Sequence, residues 1–218
     1  MELSKKGQDL INLYSYMAEN GLKRNDGKKK AKPFDEFGIR HYRAGLKRDF
    51  GLLGIKSTLD YGCGGSNWML EGFEENPESP QYNVSAKEYF GLDNCYTYEP
   101  ARNIDERQKV DCVVNFDVLE HIFIADISNV INEIFSYAKK LVAINVACYP
   151  AGAMLPNGEN AHITVRHPHW WKAQVDNIAL RYPDVSVLLL TSTGYLQSQS
   201  YPIYKANDWL NAEKFTTL

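Results

Sequence analysis

Two nearly uninterrupted apolar segments limit the folds open to this chain. Val110–Phe116 (VDCVVNF) and Leu141–Ala147 (LVAINVA) have the aliphatic and β-branched composition of strands that are buried on both faces. Between them, residues 126–140 repeat apolar side chains at helical spacing, from Ile127 to Ala138. A buried strand, an amphipathic helix and a second buried strand predict a βαβ unit within a parallel sheet that helices cover.

The same alternation continues along the chain. We expect Asp126 to cap the helix over 126–140, and Lys139 and Lys140 to complement the dipole of its last turn. The periodicity predicts further helices over 3–20 (ending at Gly21), over 35–50 (from Asp35 to about Gly51), from Ser66 through Phe73, and over 168–181. It predicts further strands over 57–61, 95–98, 185–191 and 199–205.

These elements predict an α/β fold. The central sheet is mostly parallel with helices on both faces, and the last two strands form a hairpin that adds a C-terminal antiparallel strand. We expect residues 74–94 to form mostly an inserted loop and residues 150–167 a second long loop, with a short helix at the end of the chain. Residues 1–54 are predicted to be an N-terminal helical extension with a basic linker, and residues 55–218 a Rossmann-like domain.

Size and composition exclude several classes of protein. The chain has 218 residues, of which 44% are hydrophobic and 23% charged, and these fractions are typical of globular domains rather than disordered or fibrous chains. No apolar run reaches the roughly 18 residues of a membrane helix, and the N-terminus lacks the apolar stretch of a signal peptide. Four scattered cysteines without a CxxC pair indicate reduced thiols. We therefore expect a cytoplasmic protein with no membrane partner.

Charge is unevenly distributed along the chain. Residues 23–32 carry six lysines and arginines and one aspartate, whereas the whole chain has a net charge of −3. Such a block is typical of a solvated linker. The alternative is that it binds a polyanion such as a nucleic acid.

A glycine-rich turn follows the first predicted strand. In Asp60-Tyr61-Gly62-Cys63-Gly64-Gly65-Ser66, the glycines allow the backbone to approach a ligand closely, and free N–H groups favour an anion. Asn67 stands where the dinucleotide fingerprint has its third glycine. The turn therefore predicts a smaller anion, such as a carboxylate, and disfavours a nicotinamide-dependent oxidoreductase.

Ionisable residues also follow the next two strands. Glu99 comes directly after the second strand, where a carboxylate can accept both hydroxyls of a ribose; the alternative is a surface glutamate before a proline. Asp117, Glu120 and His121 follow Val110–Phe116, either as site residues or as the acidic start of a helix. Parallel strands end at one edge of the sheet, so these groups predict a single pocket.

Together these segments resemble a known family. LDYGCGGS (59–66), YEPA (98–101) and NFDVLEHI (115–122) resemble motif I, the acid after the second strand and the fourth motif of class I S-adenosylmethionine-dependent methyltransferases. The loop LPNGENAHIT (155–164) resembles small methyltransferases that are often found in bacteriophage genomes. The resemblance covers about residues 55–170 and implies a seven-stranded sheet with one antiparallel strand.

The resemblance also implies a cofactor, S-adenosyl-L-methionine, and its contacts. The glycine turn would hold the methionine end, Glu99 the ribose, and Phe116 and Asp117 the region of the sulfonium. The residues implied to bind the cofactor are Asp60, Tyr61, Gly62, Cys63, Gly64, Glu99, Pro100, Phe116 and Asp117. Only 12 residues separate Glu99 from Asp111, which leaves little room for the family's third strand and adenine-contacting acid; Asp105 and Glu106 are the candidates for that acid.

Transfer to oxygen or nitrogen often needs a general base. We predict that His121 and His162 fill this role together with Asp117, because their loops are neighbours at the sheet edge; structural histidines are the alternative. Glu120, His121, His162 and His167 also include metal-ligand types, but they lack the short spacing of a metal motif, and we predict no metal.

The acceptor is constrained by what the sequence lacks. No Asn/Asp-Pro-Pro-aromatic motif stands at 115–118, and no Pro-Cys pair follows that strand, which disfavours methylation of DNA bases. Trp170 and Trp171 could stack on a flat substrate, although burial in the core is favoured. The predicted function is methyl transfer to oxygen or nitrogen of a small-molecule or sugar-like acceptor. The alternatives are a nucleic-acid methyltransferase that uses residues 23–32 as a phosphate clamp, and a catalytically silent binding module.

Overall fold

The protein is built around one large β-sheet that is covered by helices on both faces. The computed structural model describes residues 2–24, 27, 29–30, 38–194 and 197–208. Its helices are α1 (Lys5–Asn20), α2 (Arg43–Leu53), α3 (Ala86–Phe90), α4 (Ile127–Tyr137) and α5 (Pro168–Ala179). Its strands are β1 (Leu22–Arg24), β2 (Lys29–Lys30), β3 (Ser57–Tyr61), β4 (Asn94–Glu99), β5 (Ile104–Asp105), β6 (Val110–Phe116), β7 (Ala138–Ala147), β8 (Ala153–Met154), β9 (Ser186–Gly194) and β10 (Gln197–Tyr204).

Seven strands form the central sheet in the order β10-β9-β7-β6-β3-β4-β5. The five inner strands are parallel, and β10 pairs with β9 in the antiparallel sense. The predicted α/β class, mostly parallel sheet and C-terminal antiparallel strand are therefore confirmed. The opposite edge strand, β5, is also antiparallel, so the sheet has two antiparallel strands instead of the expected one.

Helices cover both faces of this sheet. On one face, α4 and α5 pack against inward-facing residues such as Val113 and Ile144. On the other face, α2 and α3 pack against Cys112 and Ala143, which directly precede Val113 and Ile144 in the two strands. Alternate residues of β6 and β7 thus enter different cores, which explains why both strands are apolar almost throughout. Trp171 is fully buried in the first core, as expected.

The helix predicted from Ser66 through Phe73 is wrong. This segment forms turns, and the first helix after β3 is α3, within the region predicted to be mostly loop. Trp68 and Phe73 are buried in the apolar core beside Phe90 of α3, and the indole N–H of Trp68 donates to Asp60 at 2.9 Å. The apolar spacing therefore reflects a loop that packs onto the α2–α3 face rather than the period of a helix.

The α4 helix begins as predicted but ends earlier. The next strand already starts at Ala138, so Lys139 and Lys140 belong to β7 and not to the helix terminus. Asp126 precedes α4 without a side-chain capping bond. Its carboxylate instead accepts hydrogen bonds from the backbone N–H and the hydroxyl of Ser4, which caps α1.

The N-terminal region is partly as expected. The predicted first helix is confirmed as α1, and Gly21 ends it with a positive φ of 81°. The second helix ends at Gly54 rather than at Gly51, and it packs into the core of the sheet. The proposed cap Asp35 lies outside the described residues, as does the expected C-terminal helix.

The basic tract is not simply a solvated linker. Strand β1 pairs with β2 and, on its other side, with β8 in the loop that follows β7, so that a small three-stranded sheet holds the described part of the tract. Lys28 and Lys32 lie outside the described residues. No helix in the described part of the chain is both long and apolar enough to cross a membrane.

Candidate functional site

A cavity of about 400 Å³ opens at the carboxyl ends of the parallel strands. The ends of β3, β4, β6 and β7 form its floor, and α1 forms one wall. Ligands of open α/β sheets bind at this edge. All nine residues that the sequence predicted to bind a cofactor line the cavity, and so does His121.

Glu99 lies directly beside the glycine turn, as predicted. One carboxylate oxygen accepts the N–H of Gly64 at 3.0 Å, and the other accepts the N–H of Ala101 at 3.0 Å. Burial raises the pKa of Glu99, and the two N–H groups oppose that shift. Each oxygen retains a further lone pair, so the carboxylate can still accept hydrogen bonds from a ligand diol.

The glycine turn is closed by bonds within the protein. The N–H groups of Gly62 and Cys63 donate to the carbonyl of Tyr98 at 2.8 and 3.1 Å. With the Gly64 N–H on Glu99, these three amides are engaged, and they are not free for the anion that the sequence predicted. Gly62 has a φ of 88°, and a Cβ there would lie 2.5 Å from a methyl carbon of Val118. This glycine is thus required by packing against a neighbouring loop.

Asp60 is a buried acid at the end of β3. Its carboxylate accepts the indole N–H of Trp68. Burial raises the pKa of Asp60 to about 7, the Trp68 bond opposes the shift, and the negative charge of Glu99 adds to it. The group therefore changes charge near neutral pH.

Four further residues that the sequence predicted to bind the cofactor each have a different environment in the cavity wall. The Tyr61 hydroxyl donates to Glu133 at 2.6 Å, so this side chain is tied to α4. Burial raises the pKa of the Cys63 thiol, which therefore stays protonated. Pro100 begins a short 3-10 turn. The ring of Phe116 packs against Tyr42 with a centroid separation of 5.6 Å.

A polar network in the cavity wall was missed by the sequence analysis. Asn145 donates to the hydroxyl of Ser192 at 3.0 Å and to that of Tyr42 at 3.3 Å. All three residues line the cavity. Asn145 is the only polar residue in the apolar segment over 141–147, and that exception was the available signal.

The two predicted catalytic histidines are neighbours. The ring centroids of His121 and His162 lie 4.9 Å apart with the rings nearly perpendicular. The Nδ1 of His121 lies 2.9 Å from the carbonyl of Ala161, and the Nδ1 of His162 lies 2.5 Å from that of Tyr149. A carbonyl only accepts, so both Nδ1 atoms carry the hydrogen and both Nε2 atoms retain a lone pair.

The protonation state of His121 also suits a base. Burial and the neighbouring His162 lower the pKa of His121 to about 4, while Asp117 and the Ala161 carbonyl oppose the shift. The imidazole is therefore neutral at pH 7. Tyr14 of α1, which the sequence analysis did not identify, places its hydroxyl 2.9 Å from Nδ1 of His121 and donates to the Ala161 carbonyl at 2.6 Å.

Two acids accompany these histidines. Asp117 adopts a positive φ of 60°, unusual for a residue other than glycine. Glu120 is fully buried, and one of its oxygens accepts the N–H of Ala147 at 2.6 Å. Its other oxygen, Oε2, has no hydrogen-bond partner within the described residues. Burial and the adjacent Asp117 raise the pKa of Glu120 far above its usual range.

Three of these side chains converge. One ligand atom from each of Asp117, His121 and His162 lies within 4.8 Å of the others, a separation that permits shared binding of a metal ion. The metal-ligand set weighed from the sequence overlaps this cluster only in the two histidines. His167 caps α5 with its side chain and lies on the surface.

The two candidates for contacting adenine are occupied elsewhere. Asp105 pairs with Arg107, and Glu106 accepts the N–H and hydroxyl of Thr97. Neither acid lines the cavity. Instead, the 3-10 turn at Pro100–Arg102 lines the cavity and packs against α1.

Comparison of the chain with protein-family models, curated proteins and solved structures found no match.

Proposed function

We propose that the protein is an S-adenosylmethionine-dependent methyltransferase of the class I type, acting on oxygen or nitrogen of a small-molecule or sugar-like acceptor. The observation that carries this proposal is the contact between Glu99 and the Gly64 amide, which joins a diol-accepting carboxylate to a glycine turn. Both groups lie at the ends of adjacent parallel strands, beside a cavity of about 400 Å³. That volume is within the range of small-molecule and cofactor sites.

The residues around the cavity fit the parts of this cofactor. Glu99 offers its remaining lone pairs to the ribose hydroxyls, and Asp60 offers a carboxylate to the ammonium group of the methionine end. A cation beside Asp60 would favour its charged form, so binding below pH 7 would release a proton. The adenine would lie along the part of the cavity that the turn at Pro100–Arg102 and α1 line.

The chemistry requires little more than alignment and a base. A bound sulfonium supplies an activated methyl group for in-line displacement. Phe116 and Asp117 line the same end of the cavity as His121. The neutral Nε2 of His121 is suited to accept the proton of an acceptor hydroxyl or amine, and Asp117 would stabilise the imidazolium that forms. The Ala161 carbonyl keeps the required tautomer in place.

A nucleic-acid acceptor is the second candidate, because the basic tract is attached to the cavity. Strand β1 pairs with β8, in the loop that leads to His162, and Leu22 at the start of β1 lines the cavity. A nucleic acid bound along β1 would therefore lie beside the loop that leads to His162. This candidate predicts that acceptor binding weakens steeply with salt, whereas a small neutral acceptor would show little salt dependence.

The test separates recognition of the ribose from the structural role of Glu99. We would measure the binding of S-adenosylhomocysteine and of its 2′,3′-dideoxy analogue by calorimetry, using the wild type, Glu99→Ala and the control Glu78→Ala. Glu78 is exposed and distant in sequence from the turn. Loss of charge-assisted bonds worth about 1.5–3 kcal/mol each predicts at least tenfold weaker binding of the dideoxy compound by the wild type.

Glu99→Ala is expected to bind both compounds weakly and equally, because the group that distinguishes them is gone. Glu78→Ala should discriminate as the wild type does. If the wild type binds both compounds with the same affinity, the proposed ribose contact is wrong. Tight binding of the cofactor without methyl transfer to any small-molecule or nucleic-acid acceptor would indicate the catalytically silent module.

A further inference from the structure

The cluster of Asp117, His121 and His162 has the composition of a metal site. Two imidazole nitrogens and one carboxylate oxygen lie within 4.8 Å of one another, although the two histidines come from different loops and are 41 residues apart in the chain. We propose that these three side chains bind a single divalent first-row transition-metal ion, for which Zn²⁺ is the reference ion. Binding of the ion does not depend on the methyltransferase function, although an ion on His121 would take the place of the general base proposed above.

The orientation of both histidines supports this assignment. Metal-binding histidines usually donate their second ring N–H to a carbonyl or carboxylate, which fixes the tautomer and the ring plane. His121 and His162 each donate from Nδ1 to a backbone carbonyl, at Ala161 and Tyr149. Neither Nε2 atom is hydrogen-bonded to any residue that the structure describes, so two oriented lone pairs remain for a shared ligand.

Glu120 is the second, independent observation. It is fully buried, and Oε2 lacks a hydrogen-bond partner among the described residues. A buried carboxyl oxygen without a partner is costly, and such an atom needs an explanation. Glu120 directly precedes His121 in the chain, so this unpartnered oxygen belongs to the loop that carries two of the three proposed ligands.

The donor set indicates the class of ion. Imidazole suits Zn²⁺, Fe²⁺, Ni²⁺ and Cu²⁺, whereas Mg²⁺ and Ca²⁺ prefer oxygen ligands. Three protein ligands with an open position are typical of a reactive rather than a structural zinc site. Asp117 and His121 both line the cavity, so the open position would face the bound ligands. On the proposed function, a hydroxyl oxygen of the acceptor would take that position.

This assignment competes with the base role at the same atom. The Nε2 lone pair of His121 can bind an ion or accept a proton, but it cannot do both at once. In the metal-bound protein, an acceptor hydroxyl would lose its proton more readily through contact with the ion, as metal-bound water does. Metal dependence of the activity would therefore distinguish the two roles.

The test begins with metal binding alone. The full chain, freed of metal by a chelator, would be titrated with Zn²⁺ by calorimetry and with Co²⁺ by absorption spectroscopy. We expect one Zn²⁺ per chain, and visible Co²⁺ bands of a site with nitrogen and oxygen ligands. His121→Ala, His162→Ala and Asp117→Asn should each raise the dissociation constant at least tenfold. The matched control His169→Ala, which removes an exposed histidine outside the cluster, should bind as the wild type does.

Asp117→Asn protects the test against misfolding, because Asp117 is exposed and its replacement is isosteric. Absence of stoichiometric Zn²⁺ binding by the wild type would overturn the proposal. So would equal loss of affinity in His169→Ala, or unchanged affinity in a folded Asp117→Asn. These titrations contain no cofactor, so their failure would leave the ribose experiment on Glu99 unaffected.

Discussion

The polar groups in the two halves of the cavity differ in how completely they are hydrogen-bonded within the protein. One half, called the cofactor half after the proposed function, is formed by residues 60–64 and 98–102, and its polar groups already bond within the protein, as Glu99 does with Gly64. The other half, called the acceptor half after the proposed function, is lined by residues 116–118 and 121–122, and His162 lies beside His121 without lining the cavity. Here the Nε2 atoms of both histidines retain lone pairs, and Glu120 has an oxygen without a hydrogen-bond partner among the described residues.

The two halves therefore differ in the free energy that their polar groups would gain when a ligand binds. The polar groups of the cofactor half are held by bonds within the protein before any ligand binds, so we expect little conformational entropy to be lost there on binding. The acceptor half retains unsatisfied groups, which are costly in the folded protein and favour a ligand that satisfies them. Gly62 and Val118 are in direct contact across the boundary, so the two halves are coupled by packing.

The largest expected effect concerns the buried charge of the cofactor half. Burial raises the pKa of Asp60 from 3.8 in the unfolded chain to about 7 in the fold. Between these values the unfolded chain has lost a proton that the fold retains, so the free energy of unfolding falls as pH rises from 4 to 7. It levels off above pH 7. The full contribution is roughly 4 kcal/mol, since each pKa unit corresponds to about 1.4 kcal/mol.

Asp60→Asn isolates this contribution, because its amide oxygen can still accept the Trp68 N–H. Urea unfolding at pH 5, 6, 7 and 8 would measure the difference between variant and wild type. The variant should gain stability relative to the wild type as pH rises, and the gain should stop near pH 7 to 8. A constant difference across this range would show that Asp60 is already ionised in the fold.

The second effect tests the boundary between the halves. A Cβ at Gly62 would overlap Val118 and would have to adopt a φ of 88°. Gly62→Ala is expected to cost about 3 kcal/mol, the sum of overpacking and a left-handed conformation, measured as a shift in urea midpoint. Adding Val118→Ala should recover the packing part, about half of the loss. Recovery of nothing would mean that backbone strain alone makes glycine necessary.

The strands that position this site, and the residues at their ends, could be predicted from the sequence because both are defined by short stretches of the chain. Buried strands such as Val110–Phe116 are defined by composition, and glycines and acids that directly follow them fall at one edge of a parallel sheet. The position of Glu99 beside Gly64 and the pairing of His121 with His162 were therefore predictable. The boundary errors at Ser66–Phe73 and at Lys139 came from tertiary packing that overrode helical periodicity.

Other features depend on long-range contacts that no local pattern contains. Tyr14 reaches the site only because α1 folds over the cavity, where Ser4 is bound by Asp126. The convergence of Asp117 with both histidines likewise requires the loop around His162 to return to β6, which spacing along the chain does not reveal. The prediction that no metal binds was based on that spacing, and the Zn²⁺ titration would test it.

The smallest expected effect concerns that contact of α1 with the acceptor half. Tyr14→Phe removes a hydroxyl that donates to the Ala161 carbonyl and contacts Nδ1 of His121, yet the Nδ1–H bond to Ala161 remains. We expect a loss of about 1 kcal/mol in stability, as for one hydrogen bond. Affinity for Zn²⁺ should fall a fewfold while binding of S-adenosylhomocysteine is unchanged.

Tyr16→Phe, at a 55%-exposed position of the same helix, is the control and should alter neither. Equal weakening of cofactor and metal binding by Tyr14→Phe would mean that α1 supports the whole cavity, and the distinction between the two halves would fail.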